Sequence, residues 1–168
     1  VAQAMARDHI AGVTVSVVQD GQVVLKKGYG FADVEAGRRV DPDATLFRIG
    51  SITKTFTWLM ALNAVAEGRM GLDTPINGYL PAHAQIPRQS GMRQVRLRDL
   101  MVHQPGFEER LLKDLFFRDP ARLQPLDDYL ADHRPARIWA PGEVSAYSNY
   151  GAALAGAAVA HVGGASWE

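Results

Sequence analysis

Apolar and polar positions fall into three regimes along the chain, and each predicts a different kind of element. Residues 13–18 are rich in β-branched side chains, Asp20-Gly21 interrupts them, and 23–29 resumes the same character. Two β-prone runs around an Asp-Gly step predict a hairpin. Gly28, Gly30, Gly37 and Pro42 mark its exit into a loop. In the second regime, residues 51–67, apolar side chains stand on every side of a helical wheel: Ile52, Phe56, Leu59, Met60, Leu62 and Val65, with Trp58 and Ala61 between them. Such a segment, closed by Gly68, predicts a buried central helix. The third regime, 68–142, is broken by prolines at 75, 81, 87, 105, 120, 125, 135 and 141. It predicts short helical pieces at 97–102, 108–118 and 126–133 joined by loops. A small-residue helix over 149–162 follows, able to pack very close to a neighbour, and a short helix over 2–10 precedes the hairpin. No internal repeat or low-complexity tract is present.

Composition narrows the function classes. The 168 residues are one domain's worth, and 47% hydrophobic with 21% charged is ordinary for a globular protein. Lys+Arg and Asp+Glu are both 18, so nothing points to nucleic acid or to a charged membrane surface. The absence of cysteine removes disulfides, thiolate metal sites and a cysteine nucleophile together. The longest apolar stretch, 151–160, is too short to span a bilayer. No basic segment followed by an apolar run stands at the N-terminus, so no signal peptide is visible in this sequence.

The chemistry begins at Ser51-Ile52-Thr53-Lys54, where the chain's one Ser-x-x-Lys spacing opens its most hydrophobic helix. One helical turn puts the hydroxyl and the amine on a common face, and a neutral amine there can take the serine's proton without any histidine. A helix N-cap would explain Ser51 but not Lys54. A capping box asks for Glu or Gln at that place, and a cation in a first turn meets the positive end of the helix dipole. Dipole and burial both disfavour the ammonium form. The second constellation is Tyr147-Ser148-Asn149. Chance supplies roughly 0.14 Ser-x-x-Lys and roughly 0.09 Tyr-x-Asn matches in a chain of this composition, so both together are rare.

Other chemistries fit less well. There is no Gly-x-Ser-x-Gly elbow, no P-loop, and Gly28-Tyr29-Gly30 lacks the third glycine of a dinucleotide fingerprint. The five histidines (9, 83, 103, 133 and 161) show no His-x-x-x-His spacing, which makes a zinc site improbable. His103 reads as a loop-anchoring residue, and Asp127-Asp128 as a solvated helix start.

With these residues in place, the chain resembles the serine β-lactamase and penicillin-binding-protein superfamily, in its branch of class C-like enzymes, family VIII-type esterases and D-amino-acid peptidases. Residues 47–57, around Ser51 and Lys54, resemble the family's nucleophile segment; 72–76 resemble the loop that follows it. Residues 97–107 resemble a stretch that usually ends in His-Thr-Ser-Gly, here His103-Gln104-Pro105-Gly106. Pro141-Gly142-Glu143 and Tyr147-Ser148-Asn149-Tyr150-Gly151 resemble the second catalytic element. The resemblance implies Ser51 as the acylated nucleophile, Lys54 and Tyr147 as the proton-handling pair, and Asn149 as a substrate-positioning side chain. An ammonium beside Tyr147 is expected to lower the phenol's pKa from its ordinary value near ~10. It implies neither metal nor organic cofactor, and suggests a periplasmic or secreted protein. The family's third motif, a Lys/His-Thr/Ser-Gly triplet on a strand that walls the site, does not occur in the sequence.

The expected fold is therefore α+β, of the β-lactamase/transpeptidase type. It would be a single incomplete domain: sheet-forming residues to about 50, the nucleophile helix 51–67, a mostly helical region 68–142, and the second-motif segment with its helix 143–168. The expected function is a serine hydrolase acting through an acyl-enzyme on a small-molecule ester, β-lactam or D-amino-acid amide. Two alternatives stand beside it: a catalytically silent ligand-sensing module, and an inactive fragment that another chain completes. The open sheet edge would favour self-association.

Overall fold

The computed structural model describes residues 1–109 and 119–167, which divide into two units, Val1–Ile49 and Gly50–Glu168. The architecture is α+β, with one antiparallel sheet and a set of mostly short helices.

The first unit opens with helix α1 (Ala2–Arg7) and continues as a three-stranded sheet in the order β1 (Gly12–Gln19), β2 (Gln22–Asp33), β3 (Arg38–Arg39). Strands β1 and β2 are antiparallel, with Val13 opposite Tyr29 and Ser16 opposite Lys26. The Asp-Gly step works as its composition dictates. Asp20 (φ 50°) and Gly21 (φ 75°) both take positive φ, the type I′ geometry whose twist matches that of the flanking strands. A bulge between Val17 and Val18 shifts the register near the turn. Beyond the predicted hairpin, the two-residue β3 adds a short third strand.

The second unit begins with a 3₁₀ turn, Gly50–Ile52, which leads directly into α2 (Thr53–Ala66). Helices α3 (Leu97–Met101), α4 (Leu126–Asp132) and α5 (Asn149–Gly163) follow, with 3₁₀ turns between them. Helix α5 is the centre of the packing and touches α2, α3 and α4. Its buried face is Tyr150, Ala152, Leu154, Ala155, Ala157 and Ala158, and methyl-sized side chains let neighbouring backbones come near. Leu97, Leu100, Phe107 and Leu130 complete this core. Under α3, the carboxylate of buried Asp99 accepts from the Arg96 N–H at 2.8 Å and from the Arg93 guanidinium at 2.6 and 2.9 Å. One side chain thus caps the helix and neutralises the arginine. Among the described residues, no helix is long and apolar enough to cross a membrane.

Helix α2 is not the buried helix its composition predicts. Thr57, Ala61 and Ala64 are buried, a stripe at i, i+4 and i+7, while Phe56 (57% exposed), Leu59 (65%) and Met60 (51%) lie open. The stripe carries small side chains because it is the face packed in the core with α5; the large ones point elsewhere. An all-round apolar wheel signals that a helix can be buried, but cover must come from other elements. Of the helix expected over 108–118, only Glu108 and Glu109 are described, and neither is helical; the remainder lies outside the described residues.

Gly106 sits where two loops meet. Its carbonyl accepts from the Ile138 N–H at 2.9 Å, its φ is +84°, and a Cβ built on it would lie 2.1 Å from the Trp139 carbonyl oxygen. Backbone cannot swing away as a side-chain tip can. Gly106→Ala is therefore expected to cost roughly 2–4 kcal/mol, the left-handed penalty plus the clash. Thermal unfolding measures it; a loss below about 0.5 kcal/mol would mean that the 106–139 approach is looser than described.

Candidate active site

All four side chains singled out in the sequence fall in the second unit, at the point where the start of α2 faces the start of α5. Ser51 lies in the 3₁₀ turn and caps nothing with its hydroxyl; the cap position of α2 is Ile52. The predicted N-cap alternative for Ser51 is thus removed by geometry. Lys54, in the first turn of α2, is half-buried, and no acid stands in that turn. Tyr147 ends the loop that precedes α5, and Asn149 is the first residue of α5.

The distances bring them into one cluster. Lys54 Nζ donates to Ser51 Oγ at 3.1 Å and to Asn149 Oδ1 at 2.6 Å. Tyr147 Oη and Ser51 Oγ are hydrogen-bonded at 2.5 Å. The ammonium also lies 4.9 Å from the centroid of the Tyr147 ring. Ser51 Oγ thus touches both the amine and the phenol, although 96 residues separate it from Tyr147. Among the described residues, no carboxylate lies within ion-pair distance of Lys54. Among the described residues, no group of three or more ligating side chains gathers to hold a metal ion.

Two tyrosines three residues apart show how environment sets the proton affinity. Burial pushes the Tyr150 phenol up to about 12, and its hydroxyl donates to the Leu130 carbonyl at 2.7 Å. Burial also acts to raise Tyr147, but Lys54 and the Ser51 hydrogen bond outweigh it, and the phenol lies below its ordinary value. The direction is the one expected of an adjacent ammonium.

The Tyr147 loop is held by the segment that ends in Gly106. The Gly142 N–H donates to the Gln104 carbonyl at 2.9 Å, and the Ala146 N–H to the His103 carbonyl at 2.8 Å. His103 Nδ1 accepts from the Ser148 N–H at 3.1 Å, and its ring stacks against Tyr147 with centroids 4.4 Å apart. His103 therefore anchors a loop, and because Nδ1 must accept, the imidazole is neutral with its proton on Nε2. Asp127 and Asp128 stand in the first turn of α4, the helix start read in the sequence, and Asp127 also pairs with His161 of α5 at 2.7 Å.

Burial first, then the charge of Lys54, holds His103 below the usual histidine value, against an opposing pull from Glu109. The unfolded chain thus takes up this proton at a higher pH than the folded one. The anchor's contribution is complete above the ordinary value of about 6.5 and is lost as pH falls through the lower folded value. His103→Gln keeps an acceptor and does not titrate. Its melting temperature is expected to fall less between pH 7.5 and 5 than that of the unaltered protein; parallel curves would refute the linkage.

Sequence reasoning missed two partners. Ser148 is fully buried and caps α5 by accepting from the Gly151 N–H at 2.9 Å. Glu109 reaches across to Asn149 with both carboxylate oxygens, accepting from its backbone N–H at 3.0 Å and from Nδ2 at 2.9 Å. Neither carries a periodic signal. Ser148 is readable as a cap once α5 is placed, but Glu109 stands in a loop 40 residues from its partner.

A family model described as Beta-lactamase matches residues 1–168. The esterase EstB of Burkholderia gladioli is 32% identical over 111 residues, covering 66% of this chain and 28% of that protein. The octameric penicillin-binding protein homologue from Pyrococcus abyssi superposes with a TM-score of 0.81 at 28% identity, over 99% of this chain and 38% of that one. EstCE1, a hydrolase with promiscuous acyltransferase activity, gives a TM-score of 0.83 at 25% identity, over 99% and 46%. The chain spans less than half the length of each of these proteins. The fold is accordingly α+β of the β-lactamase/transpeptidase type.

Proposed function

Because the chain belongs to the beta-lactamase family, we propose that it acts as a serine hydrolase, with Ser51 as nucleophile and Lys54 and Tyr147 as one proton-handling unit. The observation that carries this reading is the convergence of an amine and a phenol on one hydroxyl, at 3.1 and 2.5 Å. In the reaction, the Ser51 Oγ proton passes to the Lys54/Tyr147 pair while Oγ attacks a substrate carbonyl. A tetrahedral oxyanion forms, held partly by the Ser51 backbone N–H. Its collapse breaks the carbonyl's bond to the alcohol or amine, which leaves with the proton held by the pair. Water then attacks the Ser51 acyl-enzyme, the pair accepts its proton, and Oγ is released as the hydroxyl. The proton is assigned to the pair as a unit because Lys54 Nζ and Tyr147 Oη both lie within hydrogen-bond distance of Ser51 Oγ.

Asn149 is the substrate-positioning side chain of this scheme. Its Oδ1 is committed to Lys54 and one Nδ2 proton to Glu109, which leaves a second Nδ2 proton to donate to a substrate carbonyl. The substrate class is a small ester, β-lactam or D-amino-acid amide, and the scheme calls on no metal or cofactor. Ser51 is exposed, so a bulky acyl group can reach it.

The test is a fluorophosphonate or labelled β-lactam probe, followed by mass spectrometry of the digested protein. The expected result is one adduct on the peptide carrying Ser51, and for the β-lactam its slow release. A protein that binds the β-lactam reversibly and forms no adduct is the ligand-sensing module instead.

A further inference from the structure

We propose that Glu109 is a positioning residue for the nucleophile pair: it clamps Asn149 so that the amide oxygen faces Lys54. The inference rests on the serine-hydrolase reading above and concerns what keeps its parts in register.

The two faces of an asparagine amide have nearly the same shape, so a lone Asn can present either oxygen or nitrogen to a neighbour. Asn149 stands between two groups that each accept only one choice. The Lys54 ammonium has protons and no lone pair, and it meets Oδ1 at 2.6 Å. The Glu109 carboxylate has lone pairs and no proton, and it meets Nδ2 at 2.9 Å. Turning the amide over would set donor against donor at Lys54 and acceptor against acceptor at Glu109.

The second carboxylate oxygen, on the Asn149 N–H at 3.0 Å, ties the same clamp to the backbone at the head of α5. Glu109 is itself held from behind, since the Glu108 N–H donates to the Ala136 carbonyl at 2.9 Å and the adjoining Phe107 is buried.

The amide spacer has an electrostatic role as well. A carboxylate in direct contact with Lys54 would compete with Ser51 for the ammonium. Placed one amide away, Glu109 offsets the positive charge while leaving Lys54 free to reach the hydroxyl. Its charge is also felt at Tyr147 and at His103, where it opposes the effect of Lys54.

Glutamine at 109 separates this role from mere helix capping. It keeps the shape but offers one oxygen to two donors, and its own NH₂ faces an N–H. Glu109→Gln is expected to slow acylation of Ser51 by the probe roughly 10- to 100-fold, as a misplaced catalytic geometry does. The acid limb of the acylation rate moves to lower pH, because removing the negative charge lowers the Tyr147 phenol further. Equal acylation rates with an unmoved acid limb, or a fall in melting temperature alone, would overturn the proposal.

A second measurement needs neither activity nor a variant that folds. In the unaltered ¹⁵N-labelled chain, one Asn149 side-chain amide proton, the one donated to Glu109, should exchange with solvent much more slowly than the other. Rapid exchange of both protons refutes the clamp. If the unaltered chain forms no adduct but this resonance behaves as stated, the hydrolase reading fails and the clamp stands.

Discussion

Alanine at position 51 should leave no covalent adduct and no turnover above background, while the melting temperature stays within about 1 °C of the unaltered protein. The two halves of this expectation rest on the same geometry. Ser51 Oγ is the atom on which Lys54 and Tyr147 converge, so removing it leaves the pair with no proton to take. The hydroxyl also caps no helix, being in the 3₁₀ turn ahead of α2, so its removal exposes no orphan N–H. Loss of activity can then be attributed to chemistry. A serine that capped α2 would show a stability loss of about 1 kcal/mol, and that result would reopen the structural reading.

The second large effect belongs to the pair. Tyr147→Phe keeps a ring to stack on His103 and deletes the oxygen 2.5 Å from Ser51. Lys54→Met keeps an unbranched chain and deletes the ammonium. Each should slow single-turnover acylation by roughly 10²–10⁴-fold, the usual weight of a positioned proton acceptor. The double variant should be little slower than the slower single one, because groups that act as a unit are not additive. Multiplication of the two effects would show that the amine and the phenol work separately. Restored activity in Tyr147→Phe alone would leave Lys54 as a self-sufficient base.

The hairpin, α2 and α5 were legible because each is specified by local signals: Asp20-Gly21 for the turn, Gly68 as the stop of α2, and an unbroken run of small residues over 149–162 for α5. The catalytic candidates were legible because spacing along one helix turn, Ser51 to Lys54, needs no tertiary information. Within the sequence, only the family resemblance joins Ser51 to Tyr147. No periodicity relates positions 96 residues apart.

The misreadings have the opposite character. The exposure of Phe56, Leu59 and Met60 depends on what else packs there, which a helical wheel cannot tell. The partnership of Glu109 with Asn149 depends on two loops being brought together by Gly106, Phe107 and their contacts with residues 136–139. The Arg93–Asp99 pair is similar: the acid is visible as a helix-start residue, but its arginine is specified only by the turn between them.

Helix α2 follows directly on the turn that holds Ser51 and exposes an oily flank of Phe56, Leu59 and Met60. On the proposed hydrolase reading, Lys54 and the exposed Phe56, Leu59 and Met60 belong to the same fourteen-residue element. A formulator who placed lysine or glutamate at Phe56 or Leu59 to improve handling would be adding charge within roughly one and a half helical turns of Lys54, and so, on the proposed reading, adjusting the proton chemistry while meaning only to prevent clumping.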